Sequence, residues 1–259
     1  MSKKLAIVTG AASGLGLALT KHLLSQNWRV CMADTNAAIG DKLAAELGDD
    51  ILFIPTDVSI YSQQANLFAR AFEFGGQRLD FAALNAGIDD KQSLYSTKEE
   101  SDEQGGPKEL NLVTLKVDLD AVVQGKIVIT SSAAGFPMDT NPLYTAAKHA
   151  LVGLTRACGP RFMAEDSITV NCICPAFVPT GLCPPHILHL FPKEHITPMS
   201  TVLRAHDTFL ADDTLSGKVV ELSLDQLYYR EQPDWANDSQ RWLGTESKSL
   251  WDEAYLAES

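Results

Sequence analysis

Short apolar runs closed by glycine, serine or asparagine recur along the chain, with helix-like spacing between them. Residues 4–10, Lys-Leu-Ala-Ile-Val-Thr-Gly, are the first such run. An uninterrupted apolar stretch of this length predicts a strand buried on both faces of a parallel sheet. An amphipathic helix is expected over 17–26, a strand over 28–33 ending at Asp34, and a helix over about 36–47. A strand over 51–55 then leads to Asp57-Val58, and a strand over 79–84 ends at Asn85-Ala86-Gly87. Strands alternating with helices of ordinary length predict an α/β fold, a doubly wound parallel sheet with ligands at the carboxyl ends of the strands.

The rhythm breaks at 89–106, where the chain turns acidic and reaches Gly105-Gly106-Pro107. This stretch reads as an exposed loop insertion. Leu112, Leu115, Leu119, Val122 and Val123 then recur at helical spacing, which predicts a helix with one buried face. A strand over 126–130 follows and ends at Ser131-Ser132. A helix running to about 164 carries Tyr144 and Lys148, and a buried strand over 168–173 comes next. Residues 181–198 are rich in Pro, Leu, Ile and His, a composition suited to a lid with an apolar inner side. A last strand is expected over 216–224. The extension 233–259, with Trp235, Trp242, Trp251 and Tyr255, is expected on the surface or against another subunit.

Length and charge narrow the classes. At 259 residues and 45% hydrophobic content, the chain can bury one full core as a single domain. The net charge of −12 without a long basic run argues against nucleic acid as a partner. The N-terminal apolar run ends at Thr9-Gly10, too short for a secretory signal or a membrane span. The five cysteines form no paired framework, so a cytoplasmic location is expected. His186, His189 and His195 have no carboxylate or thiolate set beside them, and no metal site is expected.

Two features carry chemistry. The first is Gly10-Ala-Ala-Ser13-Gly14-Leu15-Gly16 between the first strand and the first helix. A glycine turn opening a helix is an anion site, because backbone N–H groups and the helix dipole face the phosphates. Asp34, near 20 residues further on at a strand end, suits the adenosine ribose hydroxyls and repels a 2′-phosphate. This favours NAD over NADP, although NADP is not excluded. The second is Tyr144-Thr-Ala-Ala-Lys148. On a helix, four-residue spacing puts both side chains on one face. A nearby ammonium favours phenolate, so the tyrosine can act as a base.

Taken together, Thr9-Gly-x3-Gly-x-Gly16, Asp34, Asp57, Asn85-Ala-Gly87, Ser132 and Tyr144-x3-Lys148 strongly resemble the short-chain dehydrogenase/reductase family, from residue 4 to about 224. Asn85-Ala-Gly-Ile-Asp-Asp90 and Phe191-Pro-Lys-Glu-His-Ile-Thr-Pro-Met199 look most like fungal members related to 15-hydroxyprostaglandin dehydrogenases. The resemblance implies a Rossmann-type fold and an NAD(P)-dependent oxidoreductase. Its expected substrate is a small lipophilic secondary alcohol or ketone, in terpenoid, meroterpenoid or polyketide biosynthesis.

It also implies roles. Tyr144 takes the hydroxyl proton, Lys148 lowers the tyrosine pKa and bonds the nicotinamide ribose, and Ser132 holds the substrate oxygen. Ser131 is the competing serine, but only Ser132 has the Ser-x-x-Gly context, through Gly135. Thr9, Gly10, Ser13, Gly14, Leu15 and Gly16 would surround the pyrophosphate, with Leu15 in contact. Asp34 would take the ribose and Asp57 and Val58 the adenine. Asn85, Ala86 and Gly87 would line the adenosine side, and Val178 and Thr180 would hold the carboxamide.

Three departures stand out. Ala176 replaces a usual glycine, and Leu224-Asp-Gln replaces a glycine-rich strand end. The family's catalytic asparagine aligns with Asp118, only 14 residues before Ser132, where relatives need roughly twice that. The deficit amounts to about 20 Å of helix, so the helix before the serine-bearing strand is expected to be shortened. Asn111 is the rival for the asparagine role. That helix often builds the subunit interface, which leaves a homo-oligomer open. A second reading is therefore a catalytically impaired dinucleotide-binding protein.

Overall fold

The computed structural model describes residues 3–88, 125–136, 141–183 and 185–256, without the side chains of residues 252 and 254–256. Its first half is strands β1 (Leu5–Thr9), β2 (Arg29–Asp34), β3 (Ile51–Pro55) and β4 (Phe81–Leu84). Helices α1 (Gly14–Ser25), α2 (Ala37–Leu47) and α3 (Tyr61–Phe74) lie between them. The second half contains β5 (Lys126–Thr130), α4 (Pro142–Asp166), β6 (Thr169–Pro175), α5 (Pro185–Leu188) and α6 (Met199–Ala211). After these come β7 (Val219–Ser223), β8 (Gln226–Tyr229), α7 (Asp238–Thr245) and α8 (Lys248–Leu256).

The strands form one sheet in the order β3-β2-β1-β4-β5-β6-β7-β8. All pair in parallel except β8, which returns antiparallel on β7. Chain order reverses between β1 and β4, and a crevice opens at the strand ends at such a switch. Every residue of β1 is buried, and successive side chains serve opposite faces. Ala6 and Val8 join a cluster with Leu19 and Leu23 of α1 and Val202, Ala205 and Phe209 of α6. Leu5 and Ile7 join another with Leu67, Phe68 and Ala71 of α3 and Val152 of α4. Two covered faces are why these strands read as continuous apolar runs.

The expected doubly wound α/β sheet is the fold observed, with differences at element ends. β2 begins at Arg29 rather than residue 28, and the Trp28 ring meets Phe81 edge-on at 6.3 Å. β6 runs on to Pro175. The strand expected over 216–224 is β7, from Val219 to Ser223, and a further strand, β8, returns on it through a turn at Leu224-Asp225 with Leu224 at φ 52. α3 and α6 have no named counterpart among the elements expected from the sequence. The segment 181–198 holds the single turn α5 and a short 3-10 turn, and it is anchored where Phe191 stacks on Phe177 at 3.6 Å. In the C-terminal extension α7 and α8 leave Trp235, Trp242 and Trp251 exposed, and Lys248 pairs with Glu165 of α4 at 2.9 Å. The loop insertion 89–106, the shortened helix, Asn111 and Asp118 lie outside the described residues.

Candidate active site

The switch point is closed by Thr9 at the end of β1. Its hydroxyl oxygen accepts from the N–H groups of Asn85 (2.9 Å) and Ala86 (3.0 Å), and its carbonyl accepts from the Asn85 side chain at 3.2 Å. These bonds tie the Asn85-Ala86-Gly87 segment after β4 to the glycine turn after β1. Gly10 has φ 66, and a Cβ on it would lie 3.0 Å from Ala86 Cα, so only glycine fits there without displacement.

α1 starts behind this turn. Ser13 stands at its N-cap with no side-chain capping bond, and no acidic residue occupies the first turn. The free N–H groups of that turn are therefore open to an external anion. Gly14 has φ 50, and a Cβ on it would come 3.3 Å from Cβ of Thr180, while one on Gly16 would come 2.2 Å from the carbonyl of Gly10. The chain after β6 thus passes over the glycine turn. Val178 and Leu15 pack in one cluster beneath it.

At the end of β2, Asp34 accepts from the N–H of Ala12 and from that of Asn36, both at 3.0 Å. Two main-chain bonds fix its carboxylate beside the turn. Asp57 is further out. Ser59 donates to it through N–H and hydroxyl, and these bonds hold its carboxyl below the usual aspartate range. The Val58 carbonyl accepts from Gln64 at 2.6 Å. These features line the carboxyl ends of β1, β2, β3 and β4, and their chemistry fits a dinucleotide: an uncapped helix start, a glycine-rich backbone, and a carboxylate fixed at the end of β2.

The tyrosine–lysine pair lies on α4. Pro142 at the start of α4, after Asn141 in the left-handed region, sets the helix origin, so Tyr144 and Lys148 fall in its first two turns. Lys148 Nζ lies 5.2 Å from the Tyr144 ring centre and donates to the Thr130 carbonyl at 3.3 Å. It also faces Gly87, where a Cβ would be 3.6 Å from it. Burial lowers the lysine's pKa, opposed by the nearby Cys172 and Cys174.

The two serines part company here. Ser131 is buried and donates its hydroxyl to the Lys148 carbonyl at 2.8 Å. Ser132 is half-buried, and its oxygen accepts from Ala134 N–H at 3.2 Å, which leaves its own proton to give to a ligand. The structure thereby brings Tyr144, Lys148 and Gly87 together beside the Thr130-Ser131 end of β5, and sets Thr180 over the glycine turn. Sequence reading did not find the Ser131–Lys148 bond or the Thr130 carbonyl under Nζ, since a main-chain acceptor has no residue signature. Among the described residues no group of three His, Cys, Asp or Glu side chains is placed to hold a metal, and no described helix is long and apolar enough to cross a membrane.

The family model for short chain dehydrogenases matches residues 4–186. A curated relative, the short-chain dehydrogenase/reductase prx6 of Penicillium rubens, is 32% identical over 90% of this chain and 88% of its own. Rat 15-hydroxyprostaglandin dehydrogenase [NAD(+)] is 32% identical over 69% of this chain and 70% of its own. Among solved structures, the 3-ketoacyl-(acyl-carrier-protein) reductase of Brucella melitensis, complexed with NADH, shares the fold. It has a TM-score of 0.68 and 22% identity, covering 84% of this chain and 96% of that one. With a glycine turn, a tyrosine–lysine pair and a serine meeting at one switch point, and a family match over most of its length, this chain belongs to the short-chain dehydrogenase/reductase family of oxidoreductases.

Proposed function

We propose that the protein interconverts a lipophilic secondary alcohol and its ketone with NAD, in a secondary-metabolite pathway. The observation that carries this reading is the placement of Tyr144 and Lys148 in the first two turns of α4, beside Ser132 and opposite the uncapped start of α1. The chemistry supplied by a nicotinamide dinucleotide bound there is the acceptance or return of a hydride.

The chain's own residues handle the proton and the oxygen. Ser132 gives its free hydrogen to the substrate oxygen and orients it. Tyr144 takes the alcohol proton at Oη, or returns it in reduction. Lys148, held at the Thr130 carbonyl, keeps a positive charge near the ring and so favours phenolate. Asp34 favours NAD, because a fixed carboxylate repels a 2′-phosphate. The naming of the rat relative as an NAD(+) enzyme points the same way.

Lipophilic character is supported by Ile88, Leu182 and Leu190, which are 73%, 49% and 66% exposed. They lie on the segments that follow β4 and β6, at the carboxyl side of the sheet. Exposed apolar side chains on the segments that leave the carboxyl ends of the strands are available to an apolar ligand. Fungal origin of relatives such as prx6 supports the pathway class.

The test is purified protein with NAD⁺ and a panel of terpenoid, polyketide and hydroxy-fatty-acid secondary alcohols, read at the absorbance of reduced nicotinamide. Turnover is expected on a subset, and Tyr144→Phe should lower it by at least ~100-fold. Undiminished turnover in that variant overturns the mechanism. Saturable NADH binding with no turnover on any alcohol supports instead an impaired dinucleotide-binding protein, for which Asp118 in place of asparagine is the motive.

A further inference from the structure

Ser131 takes no part in the chemistry above, yet it touches the centre of it. Its N–H donates to the Ile173 carbonyl at 2.8 Å, which extends the β5–β6 ladder by one rung and fixes the residue's main chain. Its hydroxyl donates to the Lys148 carbonyl at 2.8 Å. With 3% exposure and its hydroxyl held between the Lys148 carbonyl and the Cys174 thiol, it is not placed to meet substrate.

The bond lies in a closed space. A Cβ on Gly135 would stand 3.1 Å from Ser131 Oγ, 3.2 Å from the Lys148 carbonyl oxygen and 3.0 Å from Val152 Cγ2. Gly135, the glycine of the Ser-x-x-Gly context, therefore packs its bare backbone on this contact and keeps water away from it. The opposite end of the same lysine is held by the preceding residue, because Nζ donates to the Thr130 carbonyl at 3.3 Å. Two consecutive residues at the end of β5 thus grip Lys148 at main chain and at ammonium, and the next residue is Ser132.

We propose that Ser131 is a positioning residue: its hydroxyl locks the second turn of α4 to the end of β5, fixing Tyr144 and Lys148 relative to Ser132. This rests on the acid–base reading given above. The physical need is plain. Tyr144 and Ser132 must reach the same substrate oxygen from different elements, and errors near 1 Å in such geometry can cost about 100-fold in rate. Ser132 directly follows the last ladder rung, at Ser131, but Tyr144 rides on a helix whose register to the sheet needs a tie of its own. Ser131 supplies one, a single turn from the tyrosine.

The experiment compares full-length wild type, Tyr144→Phe, Ser131→Ala, Ser131→Cys and Ser131→Thr under reducing conditions. The readouts are kcat, KM, NADH affinity by fluorescence titration, thermal melting and the pH profile of kcat. Ser131→Ala is expected to lower kcat about 10-fold or more with NADH affinity changed less than about threefold. The acid limb of its kcat profile should move to higher pH, because a loosened lysine stabilises phenolate less. Ser131→Thr, which keeps the hydroxyl, should recover most of kcat. If the alanine variant does not melt cooperatively, Ser131→Cys decides. It fills similar volume with a weaker donor and should show the same signature in reduced degree.

A folded alanine or cysteine variant with kcat within twofold of wild type and an unmoved acid limb overturns the proposal. Loss of kcat that follows loss of melting temperature alone, with no shift of the limb, also overturns it. An inactive wild type brings down the functional reading and this inference with it, whereas an active wild type with indifferent Ser131 variants brings down this inference alone.

Discussion

The ammonium of Lys148 stands 5.2 Å from the centre of the Tyr144 ring, with the Thr130 carbonyl as its hydrogen-bond partner at 3.3 Å. One turn of helix separates the two residues, which puts both side chains on one face. A half-buried ammonium beside a main-chain acceptor is costly to keep charged, and desolvation lowers this lysine's pKa.

The first consequence is a pH effect on turnover. Because the folded pKa of Lys148 is depressed, its proton leaves below the ordinary lysine value of 10.5. Turnover therefore declines on the alkaline side before that pH is reached. Lys148→Arg keeps its charge throughout the range, so it should show a lower rate overall but lose this alkaline decline. Profiles of kcat from neutral to strongly alkaline pH measure both effects, and an identical decline in the arginine variant would assign the titration elsewhere.

Stability should fall in mild acid because of His206. The residue is buried on α6, its Nδ1 bonds the Val202 carbonyl at 3.0 Å, and its ring meets Phe81 edge-on at 6.2 Å. Burial pushes its pKa from 6.5 down to about 4. Between these values the unfolded chain binds a proton that the folded chain refuses, so stability falls as pH drops through this window. The total effect is about 3 kcal/mol, of which roughly 2 is lost by pH 5. Chemical denaturation at pH 7.5 and pH 5 should show His206→Gln losing less stability than wild type over that interval, by about 2 kcal/mol.

Cofactor choice is expected to turn on Asp34. Its two main-chain partners, the N–H groups of Ala12 and Asn36, hold the carboxylate where a 2′-phosphate would meet it. Replacing it in Asp34→Ser removes that repulsion. The ratio of kcat/KM for NAD⁺ to that for NADP⁺ should fall by about tenfold or more, equivalent to at least ~1.4 kcal/mol. A ratio that does not move would place the discrimination elsewhere.

Thr9 illustrates a residue whose motif position conceals its work. Its hydroxyl oxygen serves the N–H groups of both Asn85 and Ala86, at 4% exposure. Thr9→Val keeps the shape and leaves both donors unpaired, at an expected cost of about 2–6 kcal/mol. Thr9→Ser keeps the acceptor and should lose far less. Denaturation midpoints of the two variants test the difference, and cofactor affinity should fall with the valine variant as the Asn85-Ala86-Gly87 segment loosens.

Much of this architecture is written in local pattern. β1, β3 and β5 follow from apolar runs such as Leu5–Thr9, because a strand covered on both faces has no polar positions to alternate. The start of α1 follows from Gly10, Gly14 and Gly16, since a backbone with positive φ and close approach leaves little choice of residue. Where local signals are weak, the elements were not legible. The β7–β8 hairpin turns at Leu224-Asp225, which lacks the glycine or asparagine that usually marks a two-residue turn. α6 carries Val202, Ala205, His206 and Phe209 at helical spacing, but it begins directly after a proline-rich stretch that masks its start.

The sequence by itself determined the doubly wound sheet, the anion-binding turn and the pairing of Tyr144 with Lys148, because each depends on residues near one another in the chain. The Ser-x-x-Gly context already pointed to Ser132 rather than Ser131, and the tertiary structure added the physical difference between them: Ser131 is buried with its hydroxyl on the Lys148 carbonyl, whereas Ser132 is half-buried. Neighbours at a strand end point to opposite sides, and which side meets α4 depends on how that helix packs across β5 and β6. The same packing set Thr180 over Gly14, 166 positions away in sequence, and placed the Thr130 carbonyl under the lysine. On the proposed reading the tyrosine and lysine carry the chemistry, and the contacts between α4 and the end of β5 hold their helix to the sheet.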